Sequence, residues 1–365
     1  MKEGTVAPVS LGGVMVGDGH PTVLMAELGT FFNQDTDLAC SYIEAAVKAG
    51  APVIKSEVLH DPDVCLRGTG LELRYNHARG QRVEDYRRLI ERKVLSLDDY
   101  AKIFGFAKQL GAPFVASVYD RAGVDFLKDI GAAGLKIARD NIDNVPLIRH
   151  AARTGLPLIF DAGLAWLSEV ARAVELARRE GAGGVIVNHH PGANPAPAEA
   201  HHMRVMGTYK KALAVPVGLS CHYRGDEILY LAVGMGANLL EKGVVDDPDR
   251  EEQDLVSAAR LDDLASIVGK VRNAWLAMGQ APARPIEPRN RSRYKGLVTR
   301  RAVAAGEPLG PDSLAWAFPP LGIPVSHWDL VCQGRAARDL APRQVVRWAD
   351  VTWPEDGGPE GTQAP

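Results

Sequence analysis

The chain has 365 residues, 46% of them hydrophobic, enough for one large core and a smaller one beside it. A formal net charge of −3 with 24% charged residues gives no basic excess, so binding to a nucleic-acid backbone is not expected. No apolar stretch reaches the roughly 20 residues needed to cross a bilayer, and the opening MKEGTVAPVSLGG lacks a signal peptide's apolar segment, so a cytoplasmic protein without membrane contact is expected.

In chain order, short runs rich in Val, Ile and Leu recur with amphipathic stretches between them, the pattern of repeated strand–helix units around a parallel sheet. The runs are VLMAEL (23–28), PVIKSE (52–57), PFVASV (113–118), GLKI (134–137), PLIFD (157–161), GVIVN (184–188), PVGLS (216–220) and ANLLEK (237–242). The intervening DLACSYIEAAVKAG, LDDYAKIFGFAKQLG and LSEVARAVELARREG read as helices, each stopped by its closing glycine. Such repetition over residues 1–279 predicts a (β/α)8 TIM barrel; no Gly-rich phosphate loop follows the first strand to favour a doubly wound sheet. Lys55 and Lys136 fall at the carboxyl ends of two apolar runs, where a barrel points side chains into its site. A lysine in an apolar strand is costly unless paired, so the two predict a pocket for a small anionic molecule.

Beyond LASIVGKVRNAWLAMG, the prolines and arginines of QAPARPIEPRNRSRYKG mark residues 280–291 as a linker. Residues 292–352 read as a small β-rich domain, and 353–365 as a disordered tail. Cys40, Cys65, Cys221 and Cys332 show no metal-binding spacing and are expected to be reduced thiols.

AELG near residue 27, VIK at 53–55, LSLDDYAKIFGFAKQLG, LKI, VGLSCHYRGD and LLEK, in this order and with a trailing small domain, resemble the sialic acid synthase family over nearly the whole chain. The resemblance implies a barrel that condenses phosphoenolpyruvate with an N-acyl aminosugar or related aldose, using a divalent metal such as Mn2+ or Mg2+. It also implies that the C-terminal antifreeze-like (SAF, β-clip) domain closes the partner's site in a domain-swapped homodimer. By the same resemblance Glu27 contacts the sugar, Lys55 and Lys136 hold the enolpyruvate, Ser117 and Ser220 donate to ligand, His222 binds the metal, and Asp254 lies near the acceptor.

The chain also departs from that pattern. Glu57 stands where the family has an amide, Arg139 and Asp161 stand where it has serines, and Gly243 replaces a second metal-binding histidine. Phe318 falls at the place of the antifreeze-like domain's arginine. Arg139 and Asp161 are expected to pair with each other or to remodel the pocket. His189 and His190, with His222 and Glu57, are candidate replacement metal ligands, and Arg224 a candidate anion contact. His201 and His202 are expected at the surface. The alternatives to condensation are a divergent lyase or aldolase on another carbonyl substrate, with a lysine Schiff base if its pKa is lowered, or a binding protein that has lost catalysis.

Overall fold

A computed structural model describes residues 6–279 and 291–354. The expected linker, apart from its last residue, and the expected tail from residue 355 onward lie outside the described residues. The chain divides into two compact units, Met1–Gln280 and Ala281–Pro365.

All eight apolar runs form strands: β1 (Val23–Gly29), β2 (Val53–Glu57), β3 (Phe114–Ser117), β4 (Gly134–Ile137), β5 (Leu158–Asp161), β6 (Val185–His189), β7 (Val217–Cys221) and β8 (Leu239–Val245). They are hydrogen-bonded in sequence order, and β8 pairs parallel with both β7 and β1, which closes the sheet into a barrel. The helices that return the chain are α1 (Thr36–Lys48), α2 (Tyr86–Glu91), α3 (Leu97–Gln109), α4 (Arg121–Asp129), α5 (Val145–Ala152), α6 (Leu167–Glu180), α7 (Val205–Leu213), α8 (Glu227–Gly234) and α9 (Leu261–Met278). Asp35 caps α1 by accepting from the Leu38 amide at 2.9 Å, and Gly181 ends α6 with a left-handed φ of 98° that a side chain would strain.

Along each strand alternate residues face inward. Met25, Val53, Val115, Ile159, Ile186 and Leu239 form a lower apolar layer, packed against Val9, Leu11 and Val16 of a hairpin that joins Val9–Leu11 to Val14–Val16. This hairpin plugs the amino-terminal end of the barrel, so the carboxyl end carries the open mouth. A second hairpin, Glu72–His77 paired with Gly80–Asp85, rises from the connection between β2 and α3. Neither hairpin was anticipated, because neither is needed for the strand–helix repeat.

In the second unit, Gly296–Thr299 pairs antiparallel with Leu314–Ala317, and Arg335–Ala336 with Val351–Thr352. Leu297, Val303, Leu309, Leu314, Ile323 and Val346 are among the residues of its own small core. The short strands bear out the β-rich reading of this segment.

Candidate active site

Two residues beyond the apolar layer, the same inward alternation delivers Glu27, Lys55, Ser117, Asp161, Asn188 and Glu241, all buried. Lys136 and Ser220 join them from β4 and β7. Strand register fixes the neighbours: Glu27 lies opposite Lys55, Ser117 opposite Lys136, Asn188 opposite Asp161, and Ser220 opposite Glu241. A cavity of about 810 Å³ opens above this ring, with Glu27, Lys55, Ser117, Lys136, Asp161 and Glu241 in its wall.

The lysines are held by carboxylates. Lys55 donates to Glu27, and to Glu57 at 3.2 Å, and its Nζ lies 3.6 Å from Glu241 Oε1. Lys136 Nζ lies 2.5 Å from Glu241 Oε1 and 2.8 Å from Asp161 Oδ2, so Glu241 bridges the two ammoniums. Burial works against charge on both lysines, but these carboxylates outweigh it and hold their pKa values above the ordinary lysine range. Burial also raises Glu27 to about 8, a rise that nearby Glu241 reinforces. Glu241 moves the opposite way: burial opposes its charge, yet Lys136 and Lys55 pull it down to about 2. At neutral pH the site therefore holds two ammoniums and an ionised Glu241, with Glu27 beside them raised in proton affinity despite its contact with Lys55.

Three buried atoms of residues lining this cavity, Ser117 Oγ, Asn194 Oδ1 and Glu241 Oε2, have no hydrogen-bond partner among the described residues and are available to a ligand.

The loops after the strands supply a second level. Tyr119 donates to Glu57 Oε2 at 2.9 Å. Asn194 donates to Asp254 Oδ1 at 2.9 Å, and Asp254 takes a left-handed φ of 69°, uncommon for a side-chain-bearing residue. Arg139 donates to the Gly192 carbonyl at 2.6 Å, and its Nε lies 3.2 Å from Asp140. Burial lowers His222 to about 3, so its imidazole is neutral.

Most of the expected site residues meet here: Glu27, Lys55, Glu57, Ser117, Lys136, Arg139, Asp161, His190, His222 and Asp254 all line the cavity. Ser220 is buried among them, donating to Asp161 Oδ1 at 2.6 Å and accepting from Lys136. Arg139 and Asp161 do not pair with each other; Arg139 takes a loop carbonyl, and Asp161 takes Lys136.

Three expectations are corrected. His189 faces out of the barrel, because Asn188 takes the inward position of that strand, and its Nε2 hydrogen-bonds the carbonyl of His201. Arg224 is exposed and lies outside the cavity wall. His201 is fully buried rather than at the surface, because a single helical turn, Ala198–His201, folds it inward, where its Nδ1 meets the Pro197 carbonyl at 3.0 Å. His202 is exposed, as expected.

With His189 turned away, two imidazoles remain at the mouth, His190 and His222, packed ring on ring with centroids 4.5 Å apart. His190 Nδ1 is already committed to the Gly192 amide at 2.9 Å. A side chain at Gly243 would meet the Phe31 ring at 3.2 Å, so the ring fills the space beside it. No group of three His, Cys, Asp or Glu side chains is gathered as a metal site among the described residues. This donor set does not fit the divalent ion that the resemblance implies, and no chemical step below passes through one.

Sequence reasoning passed over Glu241, Asn188, Tyr119 and Lys93. Glu241 carried a usable signal, an isolated carboxylate inside the apolar ANLLEK run, whereas Lys93 sits in the charged text IERKVLS and has none.

A closed parallel barrel with a charged carboxyl-terminal mouth, followed by a small β-rich unit, is the architecture of the sialic acid synthase-like enzymes. The profile of the NeuB family matches residues 42–283 and that of the SAF domain residues 294–352; the chain belongs to the NeuB family. It is 25% identical to the N,N'-diacetyllegionaminic acid synthase of Legionella pneumophila, over 92% of this chain and 96% of that protein. It is 26% identical to the N-acetylneuraminate-9-phosphate synthase of Mus musculus, over 83% of this chain and 84% of that one. Its fold matches the crystal structure of the sialic acid synthetase of Leptospira borgpetersenii with a TM-score of 0.71 at 24% identity, covering 79% of this chain and 95% of that chain. No helix among the described residues is long and apolar enough to cross a membrane.

Proposed function

We propose that the barrel forms a carbon–carbon bond between phosphoenolpyruvate and the aldehyde of an N-acyl aminosugar or related aldose. The observation that carries this reading is that Glu27, Lys55, Ser117, Lys136, His222 and Asp254 line one cavity. In it, Lys55 and Lys136 supply fixed positive charge to the carboxylate and phosphate, a role suited to compact ammoniums. Glu27, raised in proton affinity by burial and in contact with Lys55, is the acid that delivers a proton to the aldehyde oxygen as negative charge develops there. Ser117 Oγ donates to the enol donor, and Asp254 accepts from the aldose. Neutral His222 accepts the proton of the water that attacks as phosphate leaves.

The test is to incubate the chain with phosphoenolpyruvate and a panel of N-acylated and plain aldoses, measuring inorganic phosphate and the mass of any keto-acid product. A swapped homodimer belongs to the same proposal, and solution light scattering checks it.

One observation favours a second reading, a lyase or aldolase acting on another carbonyl compound: Asp161 already occupies Lys136. The Schiff-base form of that reading requires a lysine with lowered proton affinity, and here both lysines are shifted upward. A lyase on this scaffold would instead rely on acid–base work by Glu27 and the lysine-held carboxylates.

A further inference from the structure

Part of the cavity wall is apolar: Val64, Leu73, Tyr75, Tyr86, Leu89 and Ile90 line it together. They come from three consecutive segments between β2 and α3, namely the single turn Pro62–Val64, the strand Glu72–His77 and helix α2. Tyr75, Leu89 and Ile90 are buried in one cluster, and Leu73 and Tyr86 pack against it. Along the strand, Leu73 and Tyr75 alternate with Arg74 and Asn76. Those two also border the cavity, but they are exposed and bond to Gln81 of the facing strand, at 2.8 and 3.3 Å.

Hydrogen bonds pin the three segments to one another. Arg87 of α2 donates to the carbonyls of Pro62 and Cys65, both at 2.6 Å, which holds the turn that carries Val64. Tyr75 spends its hydroxyl on Glu84 at 2.7 Å. Arg92 takes both oxygens of Glu84, at 2.9 and 3.0 Å, and reaches Glu252 beyond β8 at 3.1 Å, so the hairpin is tied to the far side of the mouth. The apolar wall is therefore built before any ligand arrives, as in small-molecule sites generally. Val64, 43% exposed, marks where it opens to solvent.

Sugar hydroxyls laid against these side chains would lose water without gaining a partner, which is unfavourable. One acetyl methyl is too small to cover the wall, since filling an apolar site means touching roughly six or more side chains at once. We propose that the acceptor sugar carries an acyl chain of about four or more carbons, and that the wall formed by Val64, Leu73, Tyr75, Tyr86, Leu89 and Ile90 holds it. This rests on the reading of the cavity as an aldose site and adds to it the substrate class.

The experiment is calorimetric titration of the full chain with N-acetyl-, N-butanoyl- and N-hexanoylmannosamine. Affinity rises about fourfold for each methylene buried, so the butanoyl sugar binds at least about tenfold more tightly than the acetyl sugar. Val64→Ser combined with Leu73→Ser brings that ratio below about threefold, and Leu73→Met, which keeps size and apolarity, preserves it. The Met variant, with circular dichroism of all the chains, separates loss of the contact from loss of fold. Equal or weaker binding of the longer sugars by the unmodified chain overturns the proposal, as does a preference that survives in the double Ser variant. A double variant that loses self-association while its sugar preference stays unchanged assigns the wall to a second copy of the chain, and also overturns it. Tight binding of the longer sugars without phosphate release from phosphoenolpyruvate upholds the wall and overturns the condensation; failure of every sugar to bind overturns both.

Discussion

Asp161 stands against Lys136, its Oδ2 2.8 Å from the ammonium nitrogen and its Oδ1 accepting from Ser220. The chain thus supplies an internal carboxylate at the place where the resemblance seats an anionic substrate on a lysine. An incoming carboxylate or phosphate must displace Asp161 or share Lys136 with it. Asp161→Ser is expected to tighten phosphoenolpyruvate binding by about tenfold, the effect of roughly one neighbouring like charge removed. Titration calorimetry reads this directly, and an unchanged or weaker affinity would show that Asp161 does not compete.

The same pairing makes a strong prediction for stability. Lys136→Met leaves Asp161 and Glu241 buried without their principal cation, which should cost about 3–5 kcal/mol. Lys136→Met combined with Asp161→Leu should recover part of that loss, because one of the stranded charges is gone. Guanidinium unfolding of the three variants measures both terms. A loss below about 1 kcal/mol in the single variant, the range of an exposed ion pair, would mean that the network is open to water.

The pH dependence has a defined sign. Glu27 is raised in the folded chain from 4.5 to about 8, so its contribution is full below about pH 4.5 and is lost as pH rises through 8. His222 is depressed from 6.5 to about 3, so its contribution is present above 6.5 and declines as pH falls towards 3. Between pH 6.5 and 8.5 Glu27 therefore contributes a loss of stability as pH rises, and Glu27→Gln removes that part of the slope. Chemical denaturation at a series of pH values checks it, and a wild-type slope retained in Glu27→Gln contradicts the assignment.

Manganese offers a separate test. With two imidazoles at the mouth and the Phe31 ring filling the space beside Gly243, the described residues predict no tight divalent-ion site. Manganese titrated into the chain should keep its free-ion paramagnetic resonance signal at micromolar concentrations. Stoichiometric quenching of that signal would require ligands that this geometry does not bring together.

Much of the architecture was legible because period and position are local properties. Eight apolar runs became eight strands, and lysines at strand ends had one interior to enter. His189 and His190 show the limit: adjacent residues at a strand end face opposite ways, and only the inward place of Asn188 settles which one turns towards the mouth. Arg224 was placed by its nearness in sequence to His222, yet the loop turns it to solvent. The hairpin Glu72–Asp85 and the burial of Lys93 depend on long-range packing and left no local pattern. Glu241 was readable, since a lone carboxylate in an apolar strand carries the same cost as a lone lysine.

The central claim is that this cavity joins phosphoenolpyruvate to an aldose. Its most direct test is phosphate release from phosphoenolpyruvate by the full chain, followed in parallel with product mass across neutral, phosphorylated and uronic aldoses. The account predicts aldose-dependent phosphate release, with an equal amount of a keto acid that contains the aldose and three added carbons. Phosphate release that is absent with every aldose, or that proceeds without any aldose, would contradict it.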